Sequence, residues 1–282
     1  MPIAPTPRGN MAYDANVTNP HNATVIYLHG AGMERITFGD ELMETPNYNT
    51  IRLDLPNHGD SEHVGLERYQ HMHDYCRDVL AFMDTLDTQQ AVLCGHSMGG
   101  GVALCMALDH PERVPGAIVV NGSAQMNIQP RMISAVPGEV SRSFENTLLA
   151  AFPKLEDWLP ISSADPDNES SYLQYLKVNP RVLLRDYRLC HNFNLSHRLQ
   201  EIQPPILVVS GGLDLVFPPA EIRRMEASIP YATYIEFEQG GHMIPGEMPQ
   251  RLVETITDWL TENNLETPLP AAVPLARAAG SD

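Results

Sequence analysis

Four short runs of this chain are apolar without interruption by a formally charged side chain: "ATVIYLHG" (Ala23 to Gly30), "AVLCG" (Ala91 to Gly95), "GAIVVNG" (Gly116 to Gly122) and "PILVVSGG" (Pro205 to Gly212). A strand with one wet face alternates apolar and polar residues, whereas a continuous apolar run must be buried on both faces. Longer segments at helical spacing stand between such runs. From Leu66 to Leu86, for example, apolar residues recur at Tyr69, Met72, Cys76, Val79, Met83 and Leu86, at intervals of three and four. Strands at "TIRLDLP" and "TYIEFEQ", and helices over Met98 to Leu108, Pro219 to Ile229 and "PQRLVETITDWLTEN", continue the rhythm. The pattern predicts an α/β fold, a mostly parallel β-sheet covered by helices on both faces.

The rhythm breaks between Ala124 and His197. "SRSFENTLLAAF", "ESSYLQYLKV" and "NPRVLLRDYRLCHNF" read as helices, the last with Asn179 as cap and Pro180 at the first helical position. The expected organisation is therefore a core of residues 1–123 and 198–264, with residues 124–197 a helical cap inserted after the sixth core strand. The Pro- and Ala-rich residues 265–282 read as a flexible tail.

Charge and cysteine content narrow the function. With 35 acidic against 18 basic residues the formal net charge is −17, which repels phosphate backbones and anionic lipid surfaces. A small-molecule substrate is expected, with neither nucleic acid nor membrane as partner, for a monomer or homodimer. The four cysteines (Cys76, Cys94, Cys105, Cys190) have no metal-ligand spacing. His71 and His73 in "HMHDYC" stand two apart on an expected helix and face different ways, so no metal is expected. No leader-like segment or membrane-length apolar run is present, and the expected compartment is cytoplasmic.

The chemistry concentrates at three strand ends. Gly95-His96-Ser97-Met98-Gly99 matches G-x-S-x-G between a strand and a helix. A turn sharp enough to lift the serine hydroxyl crowds the positions two before and two after it, hence the glycines. Serine needs a base, and His242 in "EQGGHMIPGEMP" follows the last core strand. Asp214 in "VVSGGLDLVFPP" follows its own strand in the same way and can orient that base. His96 adjoins the serine, but the turn should point it elsewhere. In "YLHGAGM", the backbone of Ala31, together with that of Met98, is placed to receive an oxyanion. His29 is expected to prop that loop.

With these residues in hand, the chain resembles an α/β-hydrolase of the serine esterase type, in the group that includes carboxylesterases and non-haem haloperoxidase-like enzymes. The resemblance spans roughly residues 20 to 262, through "HGAG", "LPNHGDS", "GHSMGG", "GGLD" and "GGHMIPGEMP". It implies Ser97 as nucleophile, Asp214 as acid, His242 as base, and a cap over the site. Asn57 departs from the family turn G-x-G-x-S by filling the first glycine position, and Asn tolerates left-handed geometry. The strand end "VVNGSA" lacks the alternative acid that some relatives carry.

A substrate pocket is expected to draw on Gly30, Met33, Met126, Phe217 and Met243, and on Phe144, Leu148 and Trp158 of the cap. Core packing explains the methionines equally well. The expected activity is cofactor-free cleavage of a carboxylic ester, thioester or lactone of small to medium apolar shape. The same three residues also serve lactone, amide, carbon–carbon or perhydrolysis chemistry, and a ligand-binding receptor on an inactive hydrolase fold stays open. Dehalogenation and epoxide opening need an aspartate where Ser97 stands.

Overall fold

A computed structural model describes residues 1–128 and 179–267. Eight strands form one sheet: β1 (Ile3–Thr6), β2 (Gly9–Asn16), β3 (Thr24–Leu28), β4 (Asn49–Leu53), β5 (Val92–His96), β6 (Ala117–Val120), β7 (Ile206–Gly211) and β8 (Ala232–Phe237). Their order is β1-β2-β4-β3-β5-β6-β7-β8. The six strands from β3 onward pair in parallel. The first two are antiparallel additions at one edge. The Pro-containing N-terminus carries no continuous apolar run, so this hairpin was not legible as strand. It pairs along β4 and buries Ala4 and Met11 in the core.

Helices cover both faces, as expected. On one face lie α1 (Asp40–Met43) and, from the far end of the chain, Pro249–Glu262. Val25, Tyr27, Cys94, Ile118, Val120, Leu207 and Val209 point to this side. On the other face, α2 (His73–Thr85) and α3 (Met98–Asp109) meet Ile26, Leu28, Leu93, Val119 and Val208. Neighbouring strand residues thus go to opposite cores, and both are dry. Each fully buried aliphatic side chain stabilises the fold by roughly 1.5–3 kcal/mol. Helix α3 is buried along nearly its whole length, which explains why its sequence shows no polar face.

Three further helices complete the set among the described residues, α4 (Pro180–Asn192), α5 (Pro219–Glu226) and α6 (Ile244–Glu247), and the C-terminal helix Pro249–Glu262 is α7. The Asn179 side chain caps α4 by accepting a hydrogen bond from the Arg181 N–H at 3.0 Å.

Two expectations are corrected. The helix anticipated from Leu66 begins only at His73, after a short 3-10 turn at Leu66–Arg68. The Asp74 carboxylate accepts from the backbone N–H groups of Gln70 and His71, holding these residues in a turn ahead of the helix. The tail does not start at residue 265. Leu265 is buried in the core beside Trp259, and the Ala23 N–H donates to the Glu266 carbonyl at 3.0 Å. The cap expected at residues 124–197 lies largely outside the described residues, and Phe144, Leu148 and Trp158 lie there with it.

Candidate active site

Parallel strands place every strand-to-helix connection after a C-terminal end on the same sheet edge. The register makes those ends level: Leu28 pairs with Gly95, His96 with Val120, Val120 with Val209, and Gly211 with Phe237. The segments following β3, β5, β6, β7 and β8 therefore converge, and they carry the residues singled out above.

Ser97 sits between β5 and α3 with φ 53° and ψ −116°, a conformation that non-glycine residues rarely adopt. A Cβ on Gly95 would lie 2.0 Å from the Gly99 carbonyl oxygen, and one on Gly99 would lie 2.1 Å from the Leu28 carbonyl oxygen. Both glycines of the motif are therefore required by close backbone approach. Ser97 also stands at the N-terminus of α3, where the helix favours negative charge. Gly30 faces it closely, since a Cβ there would be 3.2 Å from the Ser97 Cβ.

Asp214 is buried and fully engaged. Its Oδ1 accepts from the N–H groups of Val216 and Phe217 at 2.7 and 3.0 Å. Its Oδ2 accepts from His242 Nδ1 at 2.9 Å. The loop-cap role and the partnership with His242 thus belong to different oxygens of one carboxylate. The Phe217 ring lies 5.8 Å from the His242 ring, centroid to centroid.

Three residues beyond those anticipated hold His242. His96 Nε2 donates to the His242 carbonyl at 2.8 Å, and burial pulls the His96 pKa down to about 3, keeping the ring neutral. Asn121, at φ 45°, donates from Nδ2 to the carbonyls of Gly241 and His242 and accepts the Gly211 N–H at Oδ1. The end of β6, where an acid was absent from the sequence, thus carries a clamp between two loops. Glu247 accepts from the N–H groups of Gly241 and Met243, and burial raises its pKa. The unusual Asn in "VVNGSA" was the available signal for Asn121. Glu247 lies five residues after His242, and its spacing in the sequence gave no reason to single it out.

The loop after β3 is pinned from behind. His29 Nε2 accepts the Leu55 N–H, so Nδ1 carries the proton and donates to the Gly30 carbonyl at 2.9 Å. Burial keeps His29 neutral, with a pKa lowered to about 3. The N–H groups of Ala31 and Met98 have no acceptor among the described residues. Asn57 is left-handed at φ 73°, in keeping with its place in the turn.

Of the remaining pocket candidates, Met33 lies against Gly30 and Met243 is buried in the turn that Glu247 closes. Met126 instead packs into the core beside Gly101 of α3. All four cysteines are buried and unpaired. His73, Cys105 and Asp109 come together, with Asp109 bridging His73 at 3.2 Å and Arg198 at 2.9 Å. A cavity of about 460 Å³, lined by Leu66, Tyr69, Arg181, Arg185 and Arg188 among others, contains none of the residues predicted for chemistry. Among the described residues no helix is long and apolar enough to cross a membrane.

Comparison with known proteins agrees with this fold. Residues 23–249 match a family model described as the alpha/beta hydrolase fold. An uncharacterized hydrolase of Bacillus subtilis, YugF, is 24% identical over 262 residues, covering 89% of this chain and 95% of the relative. A pimeloyl-[acyl-carrier protein] methyl ester esterase of Yersinia enterocolitica is 25% identical, covering 88% and 97%. Among solved structures, the enol-lactonase of Burkholderia xenovorans superposes with a TM-score of 0.79 at 22% identity, covering 92% of this chain and all (100%) of that one.

Proposed function

The chain belongs to the alpha/beta hydrolase fold family, and from that premise we propose that it is a serine hydrolase of carboxylic esters working through an acyl-enzyme. The observation that carries the reading is the 2.9 Å bond from His242 Nδ1 to Asp214 Oδ2, on two loops of the sheet edge that bears the strained Ser97. An imidazole whose Nδ1–H is committed to a carboxylate offers a basic Nε2 lone pair.

In this reading His242 takes the Ser97 hydroxyl proton as the oxygen attacks the ester carbonyl. The tetrahedral oxyanion is received by the N–H groups of Ala31 and Met98. His242 then gives its proton to the departing alkoxide, leaving an ester on Ser97. Water, deprotonated by His242, attacks that ester and releases the acid. Asp214 stays ionised and stabilises the imidazolium that forms twice per cycle. No metal or organic cofactor enters any step. The substrate we assign is a small to medium, largely apolar ester, thioester or lactone, for an enzyme acting in the cytoplasm.

The test is turnover of short p-nitrophenyl esters. Ser97→Ala should lower kcat by on the order of 10⁴–10⁶-fold, with an acyl adduct mapping to Ser97 in the wild-type protein. Full turnover by Ser97→Ala would overturn the reading. A second reading, lactone opening on the same residues, has the fold likeness to an enol-lactonase in its favour and is separated by assaying lactones beside open-chain esters.

A further inference from the structure

Asp186 lies on α4, 154 residues from Gly32 in the chain, yet its carboxylate reaches the loop after β3. It is completely buried. Oδ2 accepts from the Gly32 N–H at 3.0 Å and from His58 Nε2 at 2.8 Å. Oδ1 accepts from the Tyr75 hydroxyl at 2.7 Å and from the Arg185 guanidinium at 2.7 and 3.1 Å. Burial pushes the carboxyl pKa up, but His58 and Arg185 more than offset this and hold it well below the usual carboxylate range. A buried carboxylate is costly unless every lone pair is used, and here each oxygen meets two groups that donate.

The loop's geometry gives this arrangement a consequence. Met33 N–H to Gly30 carbonyl, at 3.2 Å, closes a four-residue turn with Ala31 and Gly32 at its centre and Gly32 at φ 66°. Two peptide planes flank Ala31. The Gly30–Ala31 plane carries the Ala31 N–H, and it is fixed through the Gly30 carbonyl, which accepts from His29 and Met33. The Ala31–Gly32 plane carries the Gly32 N–H, and among the described residues only Asp186 holds it. Asp186 thus ties the Gly32 side of the turn to α4, and the placement of the whole loop, Ala31 included, depends on that tie.

We propose that Asp186 is a positioning residue for acyl transfer: by holding the Gly32 N–H it fixes in place the loop after β3, whose Ala31 N–H is to receive the oxyanion. The inference rests on the serine-hydrolase reading above. His58 steadies the same oxygen, because its other nitrogen, Nδ1, is anchored on the Pro56 carbonyl at 3.1 Å. Asp186 touches no reacting atom and acts only through the loop.

Asp186→Asn tests this directly. An amide of the same shape places two N–H bonds where four groups need acceptors, so it cannot satisfy Gly32 in either orientation without losing other partners. With p-nitrophenyl acetate, kcat should fall about 10²-fold, the cost of one oxyanion donor, while KM stays within about threefold. Affinity for an aryl trifluoromethyl ketone, which forms a hemiketal oxyanion on the serine, should fall by the same factor. The acid limb of the kcat/KM pH profile should not move, because His242 and Asp214 are untouched.

Tyr69→Phe is the stability control. It removes a hydroxyl that donates to Asp78 at 2.8 Å and does not touch Asp186, so stability should drop with kcat and ketone affinity unchanged. If Asp186→Asn does not fold, His58→Asn carries the test and should lower kcat and ketone affinity together. Wild-type kcat, or a loss of kcat with full ketone affinity, in whichever of these variants folds would overturn the proposal. The two readings fail separately: an active Ser97→Ala removes the serine mechanism, whereas an inactive Ser97→Ala with a fully active Asp186→Asn removes only the role of Asp186.

Discussion

His96 Nε2 donates a hydrogen bond to the backbone carbonyl of His242, joining the residue before the serine to the residue that partners Asp214. The ring beside Ser97 is thus a brace for a second histidine that arrives 145 positions after the serine. Its proton is committed and its pKa is about 3, which disqualifies it as a base near neutrality.

If His96 only braces the loop, its removal should be mild. His96→Ala loses one hydrogen bond of about 1 kcal/mol, with Asn121 still holding the same carbonyl, so kcat should fall about fivefold. Loss as large as that of Ser97→Ala would show that the ring does more than brace.

Asp214→Asn keeps the shape of the loop but presents an amide N–H or a weaker acceptor to His242. The favoured tautomer is lost, and kcat should fall by on the order of 10⁴-fold while the far-ultraviolet circular dichroism is unchanged. Ester turnover across the neutral pH range checks this.

Acid should weaken the fold through His29 and His96. Burial lowers both rings to about 3, so between about pH 6.5 and that value the unfolded chain binds protons that the native rings refuse. Stability from these groups is fully present above about pH 6.5 and is lost as pH falls towards 3, at up to about 1.4 kcal/mol per pH unit for each ring. Urea unfolding at a series of pH values should show this slope, and His29→Asn should flatten it. An unaltered slope in the variant would contradict the assignment.

Leu265 closes the core over Trp259 and Gly116. Leu265→Ala should cost about 2–4 kcal/mol by denaturant melting, within the range for truncating a buried leucine. Truncation after Asn264 should cost more, because the bond from Ala23 to Glu266 goes too.

Strand identity, strand-to-helix alternation and the glycines of the turn at Ser97 were written in neighbouring residues. A run such as Ile118–Val120 has nowhere to go but a two-faced core, and Gly95 answers a clash with the carbonyl of Gly99, four residues on. The positions of Ser97, Asp214 and His242 followed for the same reason: each comes just after a strand, and parallel strands deliver such residues to one edge. The hairpin β1–β2 had no such mark, because its pairing along β4 comes from the sheet edge and not from its own composition. Nor did Leu265, whose burial depends on where α7 ends. Asp186 is the plainest case. It is one of 35 acidic residues, and nothing within a few positions of it announces that Gly32, His58 and Tyr75 will surround it. Local periodicity is enforced by bonds along the chain and can be read there. The partner of a buried carboxylate is fixed only when distant segments close around it, where leaving it unpaired would cost more than the fold can spare.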